Sequence, residues 1–200
     1  MSPPQTDAEI MVGSVDQPEQ FGAIFDRHAA AIHAYLVRRL GTAHAETTLG
    51  ETFRVAFERR DTFRPDRTDA RPWLYGIAAN LVLQHLRREG RQRATAERLR
   101  YRSSTSGSSD DAGDGERITE RLDAAERWPA VVRALDSLEP RDREVVLLYA
   151  WEELTYAEIA EAMAIPVGTV RSRLSRARRL LRELLPDQPK PSNQREKAPR

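Results

Sequence analysis

The chain has 200 residues, which is enough for one ordinary domain or two small ones. It contains no cysteine, so disulfides and thiolate-bound zinc are excluded. Charged residues make up 32% of the chain, yet the formal net charge is only +1, because 32 basic residues nearly balance 31 acidic ones. The near-zero sum hides a segregation of acidic and basic residues along the sequence. The N-terminus lacks the basic start and apolar run of a secretory signal, and no stretch approaches the ~20 apolar residues of a membrane span. We therefore expect a cytoplasmic protein without membrane insertion.

The first half of the chain predicts two helices after a leader. Residues 1–20 are acidic and predict a flexible leader. From Phe21 the apolar residues recur at helical spacing as far as Leu40, and Gly41 is a suitable helix stop. A second helix is predicted over about residues 43–60, with apolar residues along one side.

A third, long helix is predicted to follow a loop that is rich in Pro and Asp, Asp61–Pro72. Pro72 suits the first helical turn. Between residues 87 and 102 the helix carries seven arginines and two glutamates. Because Trp73, Tyr75 and Asn80 precede this basic stretch, the helix suits a site for unpaired DNA. The alternative interpretation is a solvated charged face with Trp73 in the core, where tryptophan is usually well buried.

The composition changes sharply at Ser103. Residues 103–115 are rich in Ser, Gly and Asp and contain no large apolar side chain. Residues 103–126 hold seven acidic residues and two arginines, which predicts an acidic flexible linker.

A second helical block is predicted after the linker. Two helices are expected over about residues 128–138 and 141–152. Thr155 and Glu158 have the spacing of a capping box, so a short helix begins at Thr155 and ends near Ala164. The final elements are a turn at residues 165–168, a helix over about 167–185 and a disordered tail over 186–200. We therefore predict an all-α protein of two small helical domains, residues 21–102 and 127–185, joined by the linker.

The strongest functional signal is a helix-turn-helix arrangement near the C-terminus. The last helix carries six arginines and no acidic residue before Glu183, so it can enter a major groove with base contacts from its first turns and phosphate contacts from other arginines. The alternative is a solvated basic helix on a bundle. The candidate DNA-binding residues here are Thr169, Arg171, Ser172, Arg173, Ser175 and Arg176.

Two stretches, taken together, resemble a known family. Arg71–Asn80 (RPWLYGIAAN) is similar to the region with which extracytoplasmic-function (ECF) sigma factors of bacterial RNA polymerase melt promoters and recognise the −10 element. Val167–Arg178 (VGTVRSRLSRAR) is similar to the −35 recognition helix of the same family. The order and separation of the two motifs fit the family, and the resemblance covers about residues 21–185.

The resemblance implies a sigma factor that binds core RNA polymerase and promoter DNA, and an anti-sigma factor is a candidate further partner. The first domain is expected to be a sigma region 2-like bundle that binds the polymerase clamp and the −10 element, and the second a sigma region 4-like domain that binds the −35 element. Its implied −10 residues are Arg64, Trp73, Asn80, Arg87, Arg88 and Arg91, and its implied polymerase-binding residues are Glu46, Leu49, Glu51, Thr52 and Phe53. The acidic pair common at the start of this polymerase-binding surface is replaced here by Glu46-Thr47, and Gly50 costs the helix about 1 kcal/mol relative to Ala.

The sequence shows no catalytic constellation and no glycine-rich phosphate loop. The four histidines are scattered, and His28 and His33 are poorly spaced for one helical face, so we predict no metal and no cofactor. Two other functions stay open. One is a helix-turn-helix regulator that is not a polymerase subunit, and the other is a helical adaptor whose basic helix binds an acidic protein.

Overall fold

The structure of the protein, a computed structural model, describes residues 5–103 and 130–184. Residues 104–126 of the predicted linker and the predicted tail lie outside the described residues. The described regions contain no strand, which confirms the all-α prediction. The helices are α1 (Asp7–Asp16), α2 (Gly22–Leu40), α3 (Thr42–Glu58), α4 (Arg71–Ser103), α5 (residues 130–136), α6 (Pro140–Ala150), α7 (Tyr156–Ala162) and α8 (Val167–Leu184).

The prediction of a flexible leader is wrong for residues 7–16, which form α1. Thr6 and Glu9 close a capping box at its start. Ile10 and Met11 are fully buried. No clear amphipathic pattern signals this helix, because only a few apolar side chains are interspersed among acidic and small residues.

The buried carboxylate of Asp7 connects α1 to α2 and to the start of α4. It accepts hydrogen bonds from Arg27 (2.8 Å), from the backbone N–H of Ala70 (2.9 Å) and from His28 at 2.7 Å when that ring nitrogen is protonated. Burial alone would raise the pKa of Asp7, but the hydrogen bonds from Ala70, Arg27 and His28 outweigh it and lower the pKa.

The two halves of the chain, residues 5–103 and 130–184, pack against each other and share one hydrophobic core. This core includes Leu74 and Tyr75 from α4 and Leu148 and Ile159 from the second half. The α4 and α7 backbones approach so closely that a Cβ at Gly76 would lie 2.5 Å from the carbonyl oxygen of Ala162. The sequence predicted two domains joined flexibly, and the difference arises because both halves have apolar faces that only long-range packing covers.

A buried acid from α6 anchors this contact. Glu144 is fully buried and accepts two hydrogen bonds from the guanidinium of Arg39, at 2.8 and 3.1 Å, and another from the hydroxyl of Tyr35. Burial and the adjacent Glu144 raise the pKa of Tyr35. Burial would lower the pKa of Arg39, but its attraction to Glu144 more than compensates, so the pKa is raised and Arg39 stays charged.

A second acid, Glu152, completes the contact between the halves. Its carboxylate accepts hydrogen bonds from Arg38 and from the hydroxyl of Tyr75, and its backbone carbonyl accepts one from Arg71. Burial and the hydrogen bond to Glu152 raise the pKa of Tyr75. The rings of Tyr35 and Tyr75 meet edge to face at 5.4 Å, so the Glu144 and Glu152 sites are adjacent.

We expect Asp7→Asn to destabilise the protein by about 1–3 kcal/mol at pH 7, because Arg27 and Ala70 lose a charged acceptor. The folded pKa of Asp7 is depressed, so its contribution is present above the unfolded pKa of about 3.9 and is lost as the pH falls through the folded value. Urea denaturation from pH 7 to pH 3 should show the difference from wild type shrinking below about pH 4. Asp16→Asn, at an exposed position on the same helix, is the control; a pH-independent deficit in Asp7→Asn would contradict the role of the charge.

We expect Glu144→Arg to separate the two halves, because it places a second positive charge beside the buried Arg39. The radius of gyration from small-angle X-ray scattering should increase. The exchange Arg39→Glu with Glu144→Arg should restore compactness, while Glu139→Arg, at an exposed position of the same segment, should leave it unchanged. An unchanged radius for Glu144→Arg would show that this ion pair does not hold the halves together.

Candidate nucleic-acid interface

The predicted helix-turn-helix is formed by α7, a tight turn and α8. Thr155 and Glu158 form the expected capping box at the start of α7. The turn passes through Ala164, whose φ of 50° lies in the left-handed region. Ile159 and Val170 are fully buried between the helices, and this packing fixes the angle at which α8 is presented.

Helix α8 has one buried and one exposed face. Val170, Leu174 and Ala177 are buried, while Arg171 and other polar residues face solvent. Of the six residues predicted to bind DNA, Arg171, Ser172, Ser175 and Arg176 are exposed, whereas Thr169 and Arg173 are half-buried. The exposed group forms a contiguous polar surface over the first three turns, which is the part of a recognition helix that reaches bases.

Asp142, in the first turn of α6, lies close to the guanidinium groups of two of these arginines. It is buried and accepts a 2.8 Å hydrogen bond from Arg176, and it lies 3.6 Å from the Nε of Arg173. The ion pair with Asp142 holds Arg176 at the edge of α8. Among the described residues, Arg171 forms no ion pair. Sequence reasoning missed Asp142, because its pairing with α8 depends on how α6 packs and no local motif signals it.

The candidate −10 residues occupy two environments. Asn80, Arg87, Arg88 and Arg91 are exposed along α4, so they present an amide and three positive charges to solvent. Trp73 is half-buried, and its ring packs edge to face on Phe63 at 5.6 Å. This packing favours the structural interpretation of Trp73.

The loop before α4 faces acidic residues of α7. A cleft runs between the two elements, and its walls are formed by Phe63, Asp66, Arg67, Thr68, Asp69, Pro72, Trp73, Glu158 and Glu161. Arg67 forms a 2.8 Å ion pair with Glu161, and the exposed Arg64 pairs with Asp66 at 2.9 Å. The carboxylates of α7 therefore occupy the space beside this loop, where they repel phosphate.

The candidate polymerase-binding residues of α3 divide between surface and interior. Glu46 is exposed, and Leu49 and Glu51 are half-exposed. Thr52 and Phe53 are buried, with the Thr52 hydroxyl donating to the backbone carbonyl of Thr48. In this structure the accessible part of the predicted surface is therefore Glu46, Leu49 and Glu51.

The described residues contain no helix that combines the length and apolarity needed to cross a bilayer.

Family models for sigma-70 region 2 and sigma-70 region 4 match residues 24–92 and 129–181, respectively. The region 2 match includes most of α2, all of α3 and about the first two thirds of α4, and the region 4 match includes the helix-turn-helix.

Three curated relatives carry the name ECF RNA polymerase sigma factor. The chain is 32% identical to BldN of Streptomyces coelicolor, over 86% of this chain and 62% of BldN. It is 34% identical to SigE of Mycolicibacterium smegmatis, over 80% of this chain and 59% of SigE. It is 32% identical to SigL of Mycobacterium tuberculosis, over 80% of this chain and 85% of SigL. The chain thus spans less than two thirds of BldN and SigE.

Two solved structures share the fold. One is the sigma factor RpoE of Bartonella quintana in complex with the anti-sigma factor NepR, at 23% identity and a TM-score of 0.60, covering 86% of this chain and 99% of RpoE. The other is CnrH in complex with the cytosolic domain of CnrY, at 24% identity and a TM-score of 0.58, covering 90% of this chain and 97% of CnrH. Together with the two family models and the curated relatives, they show that the chain belongs to the ECF sigma factors of the sigma-70 superfamily.

Proposed function

We propose that this protein is a sigma factor that binds core RNA polymerase and directs it to promoters, without chemistry of its own. The observation that carries the proposal is the presence of two separate basic surfaces on one chain, the exposed polar face of α8 and the exposed arginines of α4. Two unlike DNA elements can be bound by a single copy that carries two such surfaces. The proposed location is the cytoplasm, where the polymerase and promoter are found.

The first surface is proposed to read the −35 element. Arg171, Ser172 and Ser175 are exposed on the early turns of α8, and Arg176 is fixed beside them by Asp142. Bidentate arginine contacts with guanine supply sequence discrimination in a major groove, and the remaining arginines bind phosphate.

The second surface is proposed to hold the melted −10 element. Asn80 can bond to the edge of an unpaired base, and Arg87, Arg88 and Arg91 can bind the strand's phosphates. The polymerase clamp is proposed to contact the exposed side of α3 around Glu46, Leu49 and Glu51.

The compact arrangement is proposed to open when the protein binds DNA. Glu158 and Glu161 line the cleft beside the −10 loop, and Glu161 neutralises Arg67. A DNA strand entering this cleft would approach two carboxylates, so α7 has to move away from the loop. An anti-sigma factor is the further partner in this proposal, since RpoE and CnrH were each solved with a partner protein.

The direct test is in vitro transcription with purified core polymerase and a library of promoter fragments. Added protein should produce transcripts from a defined subset of fragments, and it should bind core polymerase as one copy. DNA binding by a dimer, without any effect on the start sites of core polymerase, would instead favour a helix-turn-helix regulator.

We expect Arg171→Ala to weaken discrimination among −35 sequences by about 1–3 kcal/mol, because a bidentate base contact is lost. The measurement is holoenzyme binding to promoter variants at fixed salt. Arg182→Ala, at an exposed position late in the same helix, removes the same charge and should reduce affinity uniformly across sequences. Unchanged sequence preference in Arg171→Ala would exclude this residue as a base reader.

We expect Asn80→Ala to reduce open-complex formation while holoenzyme binding at the −35 element persists. The reason is that Asn80 is exposed on α4 and its amide can bond an unpaired base. Permanganate reactivity of melted thymines measures opening. Gln84→Ala, which removes another exposed amide one turn away, is the matched control; an equal loss of opening in both variants would contradict a specific role for Asn80.

A further inference from the structure

Three side chains with metal-binding atoms meet where α4 begins to leave the core. His44 lies in the first turn of α3, and His85 and Glu89 lie one turn apart on α4. One potential ligand atom from each residue lies within 4.8 Å of those of the other two. The two imidazole rings are in contact, with centroids 4.5 Å apart.

The separation of the two α4 ligand atoms suits a small tetrahedral ion. The Nε2 of His85 and an Oε of Glu89 are 3.3 Å apart. Bonds of about 2.0–2.1 Å to a tetrahedral Zn²⁺ place neighbouring ligand atoms about 3.4 Å apart, which matches this distance. The i,i+4 spacing of His85 and Glu89 keeps both ligands on one face of α4, while His44 approaches from another helix.

The ligand chemistry selects the class of ion. Two imidazoles and one carboxylate favour borderline divalent transition metals such as Zn²⁺ or Co²⁺, whereas Mg²⁺ prefers a set of oxygen ligands. We propose that His44, His85 and Glu89 form a binding site for a divalent transition-metal ion, with the fourth position left to water or to a partner's side chain.

Basic side chains that could compete with a metal for these ligand atoms contact them only weakly. Arg93 lies 3.6 Å from Glu89, beyond hydrogen-bond length, and its side chain is 82% exposed, so it competes weakly. Within residues 5–103 and 130–184, the other group with suitable ligand spacing is Asp7, His28 and Asp69. There the Asp7 carboxylate is already bonded to Arg27 and to the backbone of Ala70, so a metal would have to displace a bound cation.

A metal ion at this site would stabilise the start of α3. Helix α3 begins after Gly41 without a side-chain cap, so a metal at His44 would fix its first turn against α4. His44 precedes Glu46, at the exposed edge of α3. The site itself does not rest on the proposed sigma function, because its ligands are defined by the folded chain alone.

The test uses the full chain without a polyhistidine tag and two metal probes, Co²⁺ and Zn²⁺. We expect one equivalent of Co²⁺ to give the intense visible absorption of tetrahedral coordination, and Zn²⁺ to displace it. Zn²⁺ affinity, measured by competition with a chromophoric chelator, should fall at least tenfold in His44→Ala, His85→Ala and Glu89→Gln. His33→Ala, which removes a half-buried histidine of α2, should bind Zn²⁺ as wild type does.

Thermal melts without metal distinguish a loss of Zn²⁺ binding from a loss of folding. His44 is exposed, so its substitution should leave the metal-free melting temperature unchanged and remove only the increase caused by Zn²⁺. Three outcomes would overturn the proposal: no stoichiometric Zn²⁺ binding by wild type, equal weakening by His33→Ala, or full affinity in His44→Ala and His85→Ala. In that case the two rings are only a packing contact.

Discussion

The compact form of this protein depends on a negative charge placed where water cannot reach it. Glu144 has no exposed surface, and removing a carboxylate from water costs several kcal/mol unless charged and hydrogen-bonding partners replace the lost hydration. Arg39 and Tyr35 replace it, and both come from α2. The halves are therefore held in one relative geometry, since a modest displacement would leave the charge without partners.

This interface and the proposed DNA-binding surface of α4 occupy neighbouring parts of that helix. Arg71 and Tyr75 bond to Glu152, while Asn80 and the arginines beyond it remain exposed. If only the open form binds promoter DNA, the apparent dissociation constant is the intrinsic one divided by the open fraction. Under the proposed opening, each ~1.4 kcal/mol of interface stability would then lower apparent affinity about tenfold.

Local signals in the sequence predict most helices. The capping box at Thr155 and the apolar spacing of α8 act over a few residues, so they can be read without a structure. The packing of the halves could not be predicted, since Arg39 and Glu144 are 105 positions apart. For the same reason the approach of His44 to His85 and the pairing of Asp142 with α8 emerge only from tertiary structure. The proposed DNA-binding roles of exposed side chains on α4 and α8, in contrast, rest on motif and exposure together.

A substitution at Gly76 would change how closely α4 and α7 pack without changing the charge of the protein's surface. The hydrogen of Gly76 faces the backbone of Ala162, with no room for a methyl group, and glycine in a helix costs about 1 kcal/mol relative to alanine. A single added carbon would thus strengthen α4 locally while forcing α4 and α7 apart. It would do so without altering any charged group on either proposed DNA-binding surface. In the proposed opening, the balance between closed and open forms would therefore be adjustable sterically at this one position, independently of how strongly the open form attracts nucleic acid.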